Sequence, residues 1–183
     1  MEEKYRNLIE TTRKSELVFH GKVFDTIVKD VTLADGSTAK REIVVHHGGA
    51  CVIPIDDDNN CYMVRQFRSP FERILLEVPA GKLENGEDPM ACAVRELREE
   101  TGFEASEITD LGKMIASPGY DSEVISLYMA RGLKQAGQRL DEGEFLNVEK
   151  IPFLTLLDMA QKGQICDSKT LICIYKASRR LGI

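Results

Sequence analysis

The sequence predicts an α+β protein with one main core, and three observations lead to that class. β-rich runs lie on both sides of turn-forming clusters, first at Ala34-Asp35-Gly36 and again at residues 56–60. A short helix with clear start and end signals follows, and apolar residues at helical spacing return at the end of the chain. No linker-like segment interrupts the 183 residues, and a hydrophobic content of 43% supports one substantial core.

The N-terminal part is predicted to be a β-hairpin. Residues 1–16 are a polar lead-in to which we assign no function, and two long antiparallel strands are expected from Leu17 onward. Two strands alone are marginally stable, so the hairpin must pack on the rest of the chain or on another subunit. We therefore divide the chain into a hairpin subdomain at residues 1–48 and a main domain at residues 49–183.

The main domain is predicted to contain a central sheet and two closing helices. Its strands are expected in ACVIPID, CYMVRQF, ILLEVPAG, ITDLGKMIA and VISLYMARGL. Arg65 and Arg68 differ by three positions, so on a strand they point to opposite faces and at most one faces a substrate pocket. The closing helices take an Asp167 cap, with Gly163 and Gly182 as their ends.

Charge and cysteine content exclude several classes of function. The net charge is −6 and no long Lys/Arg cluster occurs, which argues against nucleic-acid binding. No apolar run reaches the length of about 20 residues that a membrane span needs. The five cysteines are odd in number and lack C-x-x-C spacing, so we predict neither disulfides nor zinc, and a cytoplasmic location.

Carboxylates concentrate on the short helix, which begins at Asp88-Pro89 and ends at Gly102. At helical spacing the apolar residues fall on one side, which we expect to pack: Met90, Ala93, Val94, Leu97 and Thr101. The opposite, charged side holds Glu96, Glu99 and Glu100. Like-charged neighbours repel by roughly 0.2–0.5 kcal/mol per pair, so a cation is expected there. Oxygen ligands without histidine or cysteine suit Mg²⁺, with Mn²⁺ as the alternative.

The spacing around this helix resembles the Nudix box. The matching positions are Gly81, Glu87, Arg95, Glu96, Leu97, Glu99, Glu100, Gly102 and Phe103. The resemblance implies a Nudix fold, with a mixed β-sheet sandwiched between helices, and metal-dependent hydrolysis of a nucleoside diphosphate linked to another group. Arg95 is expected to orient the box carboxylates from a position that points away from their centre.

A proline fifteen residues beyond Phe103, here Pro118, narrows the resemblance to the ADP-ribose pyrophosphatase subgroup. The expected reaction is then hydrolysis of ADP-ribose to AMP and ribose 5-phosphate. Two alternatives stay open at this point. The substrate could be another nucleoside diphosphate sugar such as GDP-mannose, or the chain could be a nucleotide sensor that does not cleave its ligand.

The resemblance also implies roles for individual residues. The expected metal ligands are the Ala80 carbonyl, Glu96, Glu99, Glu100 and Glu144. The expected catalytic residues are Glu99, Glu142 and Glu144, and the sequence does not choose between the last two. The expected substrate-binding residues are Arg41, Arg68, Pro118 and Gly119. Exchange of N-terminal hairpins between the subunits of a homodimer is expected too, which would bring Arg41 to the partner's site.

Overall fold

The computed structural model describes residues 3–183, which form two compact units. The first unit runs to His47 and also includes Ile115–Glu123, while the second comprises Gly48–Met114 and Val124–Ile183. The predicted division at residue 48 differs from this, because it did not include residues 115–123 in the first unit. Within residues 3–183, no helix is long and apolar enough to cross a membrane.

The first unit is a three-stranded antiparallel sheet preceded by a 3-10 helix at Glu3–Leu8. Its strands, in sheet order, are β1 (Thr11–His20), β2 (Asp25–Thr32) and β3 (Thr38–Val45). The predicted turn is confirmed, because the Leu33 N–H donates to the Ser37 carbonyl at 2.8 Å.

The expectation of two strands from Leu17 onward is wrong in number, because residues 21–24 divide the first predicted strand into β1 and β2, and β1 begins inside the predicted lead-in. Thr11 pairs with Thr32 and starts an additional strand, which β-branched residues favour. Residues 1 and 2 of the predicted lead-in lie outside the described part of the chain. Every residue of β1 is exposed, including Leu17, Val18 and Phe19, so this edge strand presents apolar side chains to solvent.

The second unit contains seven strands and three helices. Its strands are β4 (Gly49–Pro54), β5 (Asn60–Arg68), β6 (Arg73–Glu77), β7 (Ala80–Lys82), β8 (Phe103–Ile115, whose last residue belongs to the first unit), β9 (Val124–Gln135) and β10 (Leu146–Pro152). Its helices are α1 (Pro89–Thr101), α2 (Phe153–Gln161) and α3 (Ser168–Leu181). A 3-10 turn at Ser69–Phe71 connects β5 and β6.

The central sheet has the order β7-β4-β9-β8 and is mixed, because β4 pairs parallel with β9 and antiparallel with β7. All six residues of β4 are buried, so both faces of this strand are covered. Val52 belongs to an apolar cluster with Leu97 of α1, whereas Ile53 belongs to a cluster with Ile174 of α3. The predicted sheet between helices is therefore confirmed. A second sheet has the order β10-β5-β6.

The ends of α1 follow the predicted signals. The Asp88 carboxylate accepts hydrogen bonds from the N–H groups of Met90 (2.9 Å) and Ala91 (3.1 Å). Gly102 has φ +74°, which favours glycine, and its N–H donates to the Arg98 carbonyl. The predicted Asp167 cap and Gly182 end of α3 are confirmed in the same way.

Asp88→Ala is expected to lower the free energy of unfolding by about 1 kcal/mol, because two N–H groups of α1 lose their acceptor. Urea titration measures this loss. Asp88→Asn is the matched control, since it keeps an oxygen acceptor and should lie within about 0.5 kcal/mol of the wild type. Equal stability of the alanine variant and the wild type would contradict the capping role.

Candidate active site

The box carboxylates Glu96 and Glu100 lie on the buried side of α1, with exposures of 8% and 2%. The prediction of a charged side opposite a packing side is therefore wrong for these two residues. Met90 and Val94, which were expected to pack, are instead 42% and 41% exposed. The cause is β7, whose backbone runs against the helix and covers it with amide groups rather than with apolar side chains.

Backbone of β7 approaches both buried carboxylates. The Ala80 N–H donates to Oε2 of Glu100 at 3.0 Å. At Gly81, a Cβ atom would lie 1.7 Å from Oε1 of Glu96, so only glycine leaves room for that carboxylate. The steric requirement at this position explains the glycine of the box. The Ala80 N–H lies beside Glu100, while the role of the Ala80 carbonyl as a metal ligand stays a prediction.

Arg95 binds three of the box carboxylates. Its guanidinium donates to Glu87 from Nε (2.9 Å) and Nη2 (3.0 Å), and from Nη1 to Glu96 (2.6 Å) and Glu99 (2.9 Å). The expected role in orienting carboxylates agrees with these contacts, but the expectation that Arg95 points away from their centre is wrong. The hydrogen bonds from Arg95 lower the pKa of Glu87 to about 2, against a smaller opposing effect of burial.

The negative charges of Glu96 and Glu100, on the buried side of α1, are poorly compensated. Burial and then the neighbouring charge of Glu96 raise the pKa of Glu100 to about 8, although the Ala80 N–H partly opposes this. Burial also raises the pKa of Glu96, despite its contact with Arg95. The Arg95 guanidinium contacts Glu96 directly, whereas the rise in the pKa of Glu100 is opposed by the Ala80 N–H and, more weakly, by the charge of Arg68.

The donor set fits a divalent cation. Two buried carboxylates, the partly exposed carboxylate of Glu99 and a nearby backbone segment offer the hard oxygen atoms that Mg²⁺ and Mn²⁺ prefer. Within residues 3–183, no three ligating side chains already stand in metal-binding geometry. Arg95 now takes hydrogen-bonding positions on Glu96 and Glu99, so cation binding requires these side chains to rearrange.

Residues 141–144 lie in the loop between β9 and β10. They include Glu142 and Glu144, the two candidate catalytic residues between which the sequence does not choose. The Glu144 N–H donates to the Asp141 carbonyl at 3.0 Å, which forms a turn. After burial, the negative charge of Glu144 is one of the smaller causes that raise the pKa of Glu96 and the pKa of Glu100. These interactions favour Glu144 over Glu142.

Arg68 is held by a buried carboxylate rather than left free for substrate. Its Nε and Nη2 donate to Glu77 at 2.6 and 2.8 Å, in a forked arrangement. Hydrogen bonding to Glu77, opposed in part by burial, raises the pKa of Arg68, and the charge of Glu100 adds to the rise. The positive charge of Arg68 therefore interacts with Glu100 of the box. Arg65 instead pairs with Glu149 on β10.

The remaining substrate candidates belong to the first unit. Arg41 donates to Glu10, and Pro118 and Gly119 lie in a turn closed by the Tyr120 N–H and the Ser117 carbonyl at 3.1 Å. Their participation in substrate binding stays a prediction.

Two arginines that sequence reasoning missed border the site. A cavity of about 650 Å³ lies against the outer side of α1 and is lined by Arg95, Glu99, Arg98 and Arg139, among others. The Nε of Arg98 is buried and has no hydrogen-bond partner in the described part of the chain. No sequence signal marked either arginine, because one occupies a variable box position and the other a polar loop.

Arg95→Gln is expected to destabilise the metal-free protein by about 1–3 kcal/mol, because three carboxylates lose a charged donor. Thermal denaturation in EDTA measures the loss, and added Mg²⁺ should recover part of it by supplying positive charge to the same carboxylates. Arg98→Gln is the matched control on the same helix, since Arg98 forms an ion pair with the exposed Glu104 at 2.9 Å. Equal effects of the two substitutions would contradict the assigned role of Arg95.

Comparison with known proteins agrees with this geometry. Residues 45–171 match the NUDIX domain. A protein from Bacillus methanolicus described as a methanol dehydrogenase activator is 44% identical over 167 residues, covering 90% of each chain. An ADP-ribose pyrophosphatase from Bacillus subtilis (strain 168) is 40% identical over 171 residues, covering 92% of each chain. A crystal structure of an ADP compounds hydrolase, 23% identical, matches with TM-score 0.84 over 94% of each chain, which confirms the fold.

The family match spans the helix with its carboxylates, the β7 backbone and the loop with Glu144. Nudix hydrolases generally depend on a divalent metal ion, in agreement with the oxygen donors that the helix provides. The fold, the box geometry and the relatives lead to one conclusion. This chain belongs to the Nudix hydrolase family.

Proposed function

We propose that the chain hydrolyses the diphosphate bond of ADP-ribose, or of a closely related ADP-sugar, to AMP and ribose 5-phosphate. The observation that carries the proposal is the burial of Glu96 and Glu100 against the β7 backbone with too little positive charge around them. A purely structural helix gains nothing from such a pair, because burying charge is unfavourable unless a partner compensates it. The ADP-ribose pyrophosphatase relative, which is 40% identical, supports the substrate class.

Mg²⁺ is the proposed cofactor, with Mn²⁺ as an alternative, and its ligands would be Glu96, Glu99, Glu100, Glu144 and the Ala80 carbonyl. When bound, the cation supplies charge neutralisation for the diphosphate and a lowered pKa for bound water.

The protein's own residues bind and orient the substrate and accept a proton from the attacking water. Arg68 binds a phosphate oxygen, and Arg41, Pro118 and Gly119 line the substrate. Glu144 accepts the proton of the attacking water, with Glu142 and Glu99 as the other catalytic candidates. The loop position of Glu144 suits this role, because a loop can close after the substrate has entered.

The test of this proposal is a substrate panel with Mg²⁺, followed by chromatography of the products. ADP-ribose, GDP-mannose, NADH, diadenosine polyphosphates and oxidised nucleoside triphosphates are compared by kcat/KM. AMP release fastest from ADP-ribose supports the proposal. Faster cleavage of GDP-mannose would favour the alternative supported by the GDP-mannose pyrophosphatase from Klebsiella pneumoniae, which is 33% identical. Absence of AMP after long incubation would favour a sensor.

A second candidate function comes from the relative described as a methanol dehydrogenase activator, whose identity to this chain is 44%. The chain would then raise the rate of a dehydrogenase. Adding the protein to purified methanol dehydrogenase with NAD and methanol tests this candidate through NADH formation. A rate unchanged by the protein would refute it.

We also propose a homodimer with exchanged N-terminal hairpins. The apolar side chains of Leu17, Val18 and Phe19 are between 53% and 56% exposed on the edge strand β1, where a second chain would cover them. Light scattering of the purified protein measures its mass, and a monomeric mass would refute the dimer. The cytoplasmic location and the lack of nucleic-acid and membrane partners stay predictions, which cell fractionation and binding assays test.

A further inference from the structure

Two cations share one buried carboxylate at the end of β6. Glu77 is 2% exposed, and Arg68 binds it through two hydrogen bonds of 2.6 and 2.8 Å. Lys169, from the first turn of α3, donates to Oε2 of the same carboxylate. Asp167 also pairs with Lys169, so the cluster holds two carboxylates and two cations, and Lys169 contacts both carboxylates.

The two cations differ in how firmly they are held. The Lys169 side chain is 12% exposed and also pairs with Asp167 at 3.1 Å. Asp167 is fixed in turn, because it caps α3 by accepting from the Thr170 N–H at 3.0 Å. The Arg68 side chain is 36% exposed and lies at the end of β5. Lys169 is thus the inner, anchored partner, and Arg68 is the outer one.

This difference decides what happens when Arg68 moves. Removing one partner from a buried ion pair is strongly unfavourable when it leaves an uncompensated charge. With Lys169 in place, Glu77 keeps a cation after Arg68 has left. Without Lys169, the departure of Arg68 would leave Glu77 buried and alone.

We propose that Lys169 is a permanent counter-ion for Glu77, whose role is to let Arg68 leave that carboxylate and bind a phosphate of the substrate. This inference rests on the proposed function, in which Arg68 binds the diphosphate. Lys169 is therefore a positioning residue, which acts through Arg68 and does not touch the substrate. Arg68 is the cation that a substrate could reach, because its side chain is 36% exposed against 12% for Lys169.

The experiment compares the wild type, Lys169→Met, Glu77→Gln and the double variant E77Q/K169M. KM and kcat are measured with ADP-ribose and Mg²⁺, and Kd is measured by calorimetry with α,β-methylene ADP-ribose, which is not cleaved. Lys162→Met is the matched control, because Lys162 forms an exposed pair with Asp158 on α2. Thermal denaturation shows whether each variant is folded.

Lys169→Met is expected to raise KM and Kd by about tenfold or more, because Arg68 is then retained by Glu77. The double variant should return both constants to within about threefold of the wild type, because no buried anion then holds Arg68. Glu77→Gln alone should keep the wild-type Kd or lower it, and this outcome is independent of the folding of Lys169→Met. A merely structural role of Lys169 predicts that Lys169→Met lowers the melting temperature and that the double variant restores it, with KM and Kd near the wild-type values in both.

Three results would overturn the proposal: an unchanged KM in Lys169→Met, a double variant as weak as Lys169→Met, or a tenfold weaker Kd in Glu77→Gln. Failure of the wild type to cleave ADP-ribose would instead refute the proposed function, and the inference with it. Wild-type turnover is therefore measured first, which separates the two failures.

Discussion

Glu100→Gln is expected to lower kcat/KM for ADP-ribose by about 10³-fold, equivalent to about 4 kcal/mol of transition-state stabilisation. The amide keeps the shape of the side chain and can still accept from the Ala80 N–H, but it loses the charge that a divalent cation needs. The melting temperature without metal should stay the same or rise, because Glu100 is buried beside Glu96 and its ionised form is disfavoured there. A large loss of activity with no loss of stability separates catalysis from folding.

The matched control for this prediction is Glu107→Gln, which makes the same chemical change at an exposed position on β8. It should change neither kcat/KM nor the melting temperature appreciably. A second readout is stabilisation by Mg²⁺, which the wild type should show and Glu100→Gln should largely lose. If Glu100→Gln turned over at nearly the wild-type rate, the assignment of Glu100 as a metal ligand would be wrong.

Local signals predicted the helix of the site well. Asp88, Pro89 and Gly102 fix the ends of α1 through hydrogen bonds and a positive φ that involve only neighbouring residues. Such signals depend on short-range chemistry and are therefore visible in the sequence.

The burial of the carboxylates could not be predicted in the same way. Helical periodicity places Glu96 and Glu100 on a side of α1, but it does not say what covers that side. The covering segment is the backbone of β7, and backbone atoms leave no hydrophobic pattern in the sequence. Periodicity therefore assigned Met90 and Val94 to the core, where the structure exposes them.

Partners far apart in the chain were missed for a related reason. Arg68 was expected to meet the substrate, but Glu77 of β6 accepts two hydrogen bonds from it. Lys169 of α3 donates to the same carboxylate, and only the tertiary fold brings α3 to this place. The part of β1 before Leu17 was not predicted because its polar residues resemble a loop, and the break between β1 and β2 was not predicted either. Its pairing with β2 supplies the hydrogen bonds that local propensity did not reveal.

Gly81→Ala is expected to lower kcat/KM by about 10²-fold, because misplacing a functional group by about 1 Å costs this much. The new Cβ atom would lie 1.7 Å from Oε1 and 2.1 Å from Cδ of Glu96, so that carboxylate must move. The backbone of Gly81 does not have a positive φ, so alanine fits the local conformation. The loss should therefore appear as a higher Mg²⁺ requirement and lower turnover, with little change in the melting temperature.

The effect of this substitution should pass through Glu96, and a double-mutant cycle tests that route. In a Glu96→Gln background, Gly81→Ala should cost less than about threefold, because the displaced carboxylate is already absent. Losses that instead multiply would show that the methyl group acts elsewhere, for example on the pairing of β7 with β4, where Gly81 lies opposite Ala50. An alanine variant as active as the wild type would mean that the position of the Glu96 carboxylate is not critical for hydrolysis.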